Sequence, residues 1–101
     1  MAYEIAQRIV SGRRAVTVPG TAEKLVAVST HCFRVDISAD VDNANAIVVG
    51  GSEIVAVAGS QAGVVLFPGN NPLVMLVDDI SKIYVDAINA GDSACYTYYV
   101  Q

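Results

Sequence analysis

Tryptophan is absent, histidine occurs once, and there are two cysteines and three prolines in 101 residues. A single histidine, His31, leaves no multi-histidine metal site to build. Its neighbour Cys32 would point to the opposite face of a strand, so the two do not make a nucleophile with its base. Cys32 and Cys95 read as small buried or half-buried thiols of a reducing compartment, although two strands of one sheet could still bring them together. Charge is scarce as well: 16% of residues are charged, against a usual ~25%. The basic residues are scattered, only Arg13 and Arg14 being adjacent, and the net charge is −4. No footprint for nucleic acid results. No stretch approaches the ~20 apolar residues needed to span a bilayer. The opening Met1 to Val10 carries Glu4 and Arg8 and lacks the apolar run of a secretory signal. The chain is expected to be made and kept in the cytosol, or to leave only inside a larger particle.

What the chain does have is apolar and β-branched. At 53% the apolar share is high, and a charge-poor surface around it points to an oligomer or a docked subunit. Short runs of strand formers alternate with turn residues about every ten positions, as in an all-β sandwich or barrel. The turns are Asp42, Asn43 and Asn45, Pro68-Gly69-Asn70-Asn71-Pro72, and Asn89-Ala90-Gly91-Asp92. Period-two alternation is clean in two places. Phe33, Val35, Ile37 and Ala39 share one face, with Arg34, Asp36 and Ser38 on the other. Likewise Ile83, Val85 and Ala87 face in, while Lys82, Tyr84 and Asp86 look out. The closing run sets Tyr96 and Tyr98 opposite Cys95, Thr97 and Tyr99, one tyrosine row being expected at a surface.

Further strand runs are Ala15 to Val18, Lys24 to Val28, Ala46 to Val49, Glu53 to Val57, Val64 to Phe67 and Leu73 to Val77. The prediction is therefore an all-β, antiparallel sandwich or jelly-roll-like domain of seven to nine strands over residues 15–101. Residues 1–14 precede it as an amino-terminal arm or edge strand, and an arm could add to a neighbouring subunit's sheet. The one helical turn expected lies in Val77 to Ser81, capped by Asp78 or Asp79.

Catalytic constellations are weak. Asp36, Asp40, Asp42 and Asp78-Asp79 supply carboxylates, but turn aspartates ordinarily serve backbone bonding. Asp40, Asp42 and Asn43 lack the spacing of an EF-hand calcium loop. Gly50-Gly51 and Gly59 to Gly63 are not followed by a helix that could aim amides at a phosphate. No enzyme activity and no cofactor or metal is expected.

The pieces in order tell more. Val18-Pro19-Gly20-Thr21-Ala22, Phe33-Arg34-Val35-Asp36-Ile37-Ser38-Ala39, Asp42-Asn43 leading into Ile47-Val48-Val49-Gly50-Gly51, Leu66-Phe67-Pro68-Gly69, Asp79 to Ala87, Gly91-Asp92 and Tyr98 span Ala15 to Val100. As a set the chain resembles the small β-sandwich virion proteins of tailed bacteriophages, departing from them at Pro19, Glu23 and the amino-terminal segment. The resemblance implies a capsid cement (decoration) protein, a homotrimer on the outside of the head that clamps the major capsid protein lattice, with no catalytic residues. Candidate contacts are Tyr3, Ile5 and Ile9 in the arm, with Arg13 and Arg14 facing an acidic shell. The alternative is a carbohydrate- or receptor-binding module of a head fibre or tail, using exposed Tyr84, Tyr96 or Tyr99.

Overall fold

A computed structural model describes residues 5–57 and 59–101. Among these residues eight strands are present: β1 Arg8–Ala15, β2 Glu23–Lys24, β3 Arg34–Ala39, β4 Ile47–Gly50, β5 Val64–Leu66, β6 Leu73–Met75, β7 Tyr84–Ala87 and β8 Ser93–Val100. They form two antiparallel four-stranded sheets, β1-β8-β3-β6 and β2-β7-β4-β5. The fold is the all-β sandwich expected from the alternation.

Between the sheets lies the main core. Val35, Ile37 and Ala39 of β3 meet Ile47 and Val49 of β4 and Ile83, Val85 and Ala87 around β7, all buried. Tyr96 and Tyr98 pack against its margin, their rings stacked 6.3 Å apart. Fully burying a Val or Ile side chain contributes about 1.5–3 kcal/mol, so this inner row fixes the register of both sheets. A shift of one residue would turn the whole row outward. Tyr96 lies across Gly12, where an added Cβ would come within 2.4 Å of the phenol oxygen. That close approach accompanies the eight-residue ladder that joins β1 to β8.

Several runs are shorter as strands than their composition suggests. Lys24 to Val28 contributes one residue to β2, and Glu53 to Val57 only an isolated bridge, Val55 to Ala62. The latter segment folds back over the outer face of the second sheet. There Ile54 and Ala56 bury against Val48, with Ala22, Val65 and Tyr84 at the edge of this small second core. Gly63, at φ +122°, permits the return, since a Cβ there would come within 2.7 Å of Val48.

This roofed face corrects one expectation. Asp86, read as outward and wet, is fully buried. It does face away from the main core, but Gly20 of the Pro19-Gly20 turn lies on it. Its Oδ1 accepts N–H bonds from Gly20 at 3.0 Å and Ala87 at 2.8 Å, while Oδ2 has no partner among the described residues.

The helical turn is a single 3-10 turn, Ile80–Lys82, with Asp79 as its N-cap accepting from the Ser81 amide. Cys32 and Cys95 are free thiols. Cys32 precedes β3 whereas Cys95 stands opposite Ser38, which separates them by roughly 20 Å of strand at ~3.3 Å per residue.

Two substitutions test this packing. Gly12→Ala is expected to cost about 1–3 kcal/mol through overpacking against Tyr96, whereas Gly51→Ala, with open space around it, should leave the melting temperature unchanged. Asp86→Asn keeps an acceptor for Gly20 and removes a buried negative charge but puts the Nδ2 donors where Oδ2 has no partner, so thermal denaturation should place it between the native chain and the alanine variant. Asp86→Ala, which orphans the Gly20 amide, should lose about 1–3 kcal/mol.

Candidate binding face

Among the described residues the roof over the second sheet has no counterpart on the first. The outer face of β1-β8-β3-β6 is left open, and the register arranges its side chains in rows. Ile9 stands opposite Tyr99, which stands opposite Arg34. Ser11, Thr97, Asp36 and Val74 make the next row, and Arg13, Cys95 and Ser38 the third. Ile9, Val74 and Leu76 are 63%, 48% and 78% exposed.

At the centre sits a polar triad. The Arg34 guanidinium donates to Asp36 through Nε at 2.9 Å and lies 5.3 Å from the centre of the Tyr99 ring. The Tyr99 hydroxyl donates to the same carboxylate at 2.8 Å. Burial alone would push the Asp36 carboxyl up, but the bonds from Arg34 and Tyr99 hold it below its ordinary value. Accepting carboxylate and partial burial push the Tyr99 phenol up, so it stays a donor. The triad is thus a fixed polar feature flanked by the exposed apolar side chains of Ile9, Val74 and Leu76.

The proposed contact residues separate on inspection. Ile9 and Tyr99 are brought together on this face. Ile5 is exposed before β1, and Tyr3 lies outside the described residues. Residues 8–15 pair with β8 of their own chain along their whole length, so they form an edge strand in place. Arg13 and Arg14 are both engaged internally: Arg13 pairs with Asp40 at 2.7 Å, and Arg14 turns inward to Glu23 at 2.6 Å. Tyr96 packs against the main core and Tyr84 against the small one, so of the three tyrosines only Tyr99 belongs to the open face.

Sequence reasoning named the Asp79 cap and the Asn43 and Asp92 turns, but it missed Glu23 and the long-range bonds by which these residues fasten the loops. Glu23 accepts from the Thr17 and Val18 amides and from Arg14. Burial works against its charge, yet those bonds keep its carboxyl below the ordinary value. Asp79 accepts from the Ser29 hydroxyl, the Thr30 amide and both the amide and hydroxyl of Ser81. These hold its carboxyl far below the ordinary value. Asn43 exchanges two bonds with the Ser93 backbone, and Asp92 accepts from Ala44 and Asn45. The turn signal found this last loop, though not its reach of about fifty residues along the chain.

Burial and the nearby Asp79 and Asp78 push the Cys32 thiol up, and burial and Asp40 do the same for Cys95. Both remain protonated at neutral pH. A shallow groove of about 280 Å³ runs beside the face between His31, Phe33, Leu76 and Val77. Among the described residues no group of three or more His, Cys, Asp or Glu side chains converges as a metal site would require. The chain matches no protein-family model, no curated protein and no solved structure.

The depressed carboxyls set a pH dependence. Asp36, Glu23 and Asp79 lie below their unfolded values, so their contribution is complete above the ordinary carboxyl value of about 4. It is lost as pH falls through that value towards the folded-state ones. Circular-dichroism melting from neutral pH down to about pH 2 should show a plateau and then a steep loss below about pH 4. Glu23→Gln should flatten that loss and lower stability at neutral pH by about 1–3 kcal/mol.

Proposed function

We propose that this protein is a structural component of a tailed-bacteriophage virion, a capsid cement protein that seats on the outside of the head and stabilises the shell. The observation that carries the reading is the asymmetry of the two outer faces. One sheet is roofed by its own loop, whereas the other presents Ile9, Val74 and Leu76 around the Arg34, Asp36 and Tyr99 triad. The order of sequence pieces that resembles the small virion sandwiches supports the same reading. A protein of this kind works thermodynamically: binding the assembled lattice and not its free subunits stabilises the lattice by mass action. Assembly as a homotrimer would multiply a modest contact into avidity, because three copies of one face engage neighbouring shell subunits together.

An antibody to the protein should label the heads of particles made from the genome that encodes it. The double variant Ile9→Asp, Leu76→Asp should fold normally by circular dichroism and yet be depleted from purified heads, which then lose infectivity at lower temperature. Labelling confined to tails, or unchanged head occupancy of the variant, would overturn the assignment. Light scattering at two concentrations should give the mass of a trimer.

A further inference from the structure

The two sheets have four edges, and three of them are blunt. β2 has two residues and β5 and β6 three each; Pro68 closes off β5 and Pro72 precedes β6, and a proline has no N–H to offer a partner strand. β1 differs. It runs eight residues without a proline, pairs with β8 along one side, and among the described residues pairs with no strand along the other. Alternate N–H and C=O groups therefore point outward along roughly 27 Å, at ~3.4 Å per residue. Such a row is a template for one further strand.

Charge decides which strand. Three of the chain's six Lys and Arg residues, Arg8, Arg13 and Arg14, lie on β1. Glu23 takes Arg14, but the Arg13 side chain remains 61% exposed despite its bond to Asp40, and Arg8 is exposed. A second copy pairing antiparallel across a two-fold axis fits poorly. The registers that use most of the strand bring Arg8 opposite Arg14, or Arg8 diagonal to Arg13, or the two Arg13 residues diagonal to each other. Like charges directly opposite are destabilising, and diagonal neighbours lie within reach of side chains as long as arginine. The same arginines favour a strand of opposite sign.

We propose that the free edge of β1 is a strand-addition site for an extended acidic segment of a partner protein. The hydrogen-bonding row supplies affinity that is blind to sequence, and the arginines supply selection by charge. In the virion reading the segment belongs to the shell protein, and the site rests on that reading only for the partner's identity.

The test uses the full-length protein labelled with nitrogen-15. The probe is a capped decapeptide alternating Val and Glu, with a Val and Lys peptide as control, each titrated to millimolar concentration. The Glu peptide should shift the β1 amides and slow exchange at those that point outward. Arg8→Glu, an exposed change, should weaken binding by about tenfold, or 1.4 kcal/mol, and the Lys peptide should leave β1 unperturbed. A response that avoids β1, an equal response to both peptides, or none at all would overturn the proposal. So would β1 amides already slow in a dimer without peptide, which would make a second copy the occupant. Binding of the Glu peptide without labelling of phage heads would sink the virion reading and keep the site. Head labelling without a β1 response would do the reverse.

Discussion

Short strands leave long stretches of backbone whose amides find no ladder partner, and in this chain carboxylates take them up. A buried amide left without an acceptor costs about 1–3 kcal/mol, so the loops at 16–22, 29–30, 40–45 and 78–83 cannot lie against the core unaided. Glu23, Asp40, Asp79, Asp86 and Asp92 each accept at least one backbone N–H there. That is half of the ten acidic residues in the chain. Surface ion pairs contribute about 0–1 kcal/mol, so the Arg13 and Asp40 pair is secondary to the amide bonds that the carboxylates make.

This use of acid explains the electrostatics of the surface. Carboxylates tied to amides stand at the loops and in partly buried places, so little acidic charge is left for the first sheet. Asp36 is the exception, and its bonds go to side chains: Arg34 and Tyr99 enclose it on the open face. Half of the basic residues stand on the edge strand β1, where Arg14 and Arg13 reach Glu23 and Asp40 of the neighbouring loops and Arg8 is exposed. A chain of net charge −4 thereby carries two exposed guanidinium groups, Arg8 and the ion-paired Arg13, along one edge.

Legibility in the sequence followed the range of the interaction. The inward rows of β3 and β7 could be read because period-two alternation is a local property of an extended chain, and the Asp79 cap because a cap acts within two residues. Asp86 was misread for the same reason: its alternation was right, but alternation says nothing about a loop returning over the outer face. The bond from Gly20, the contact of Gly12 with Tyr96, and the pairing of Asn43 with Ser93 join residues far apart in sequence, and no local pattern announces them. Of the candidate contacts, Ile9 and Tyr99 converged through the β1 and β8 register. Arg13 and Arg14 looked free because the sequence does not disclose that Asp40 and Glu23 stand beside them.

The open face and the open edge are parts of one surface, because β8 lies between them in the sheet. Tyr99 reaches the face from β8, and Tyr96 from its other side lies against Gly12 of β1. A strand added to β1 would extend the sheet by one member, and alternate side chains of that strand would stand beside Ile9, Ser11 and Arg13. The rows that now end at Ile9 would continue into the partner, adjoining the surface that carries Tyr99, Arg34 and Leu76. A partner holding both elements would make its backbone bonds at the edge and its apolar contacts on the face in a single event, the second contact being formed at the high effective concentration set by the first. Selection by charge and burial of Ile9, Val74 and Leu76 would then act together. A small domain poor in surface charge could in this way hold a large assembly without a large interface of its own.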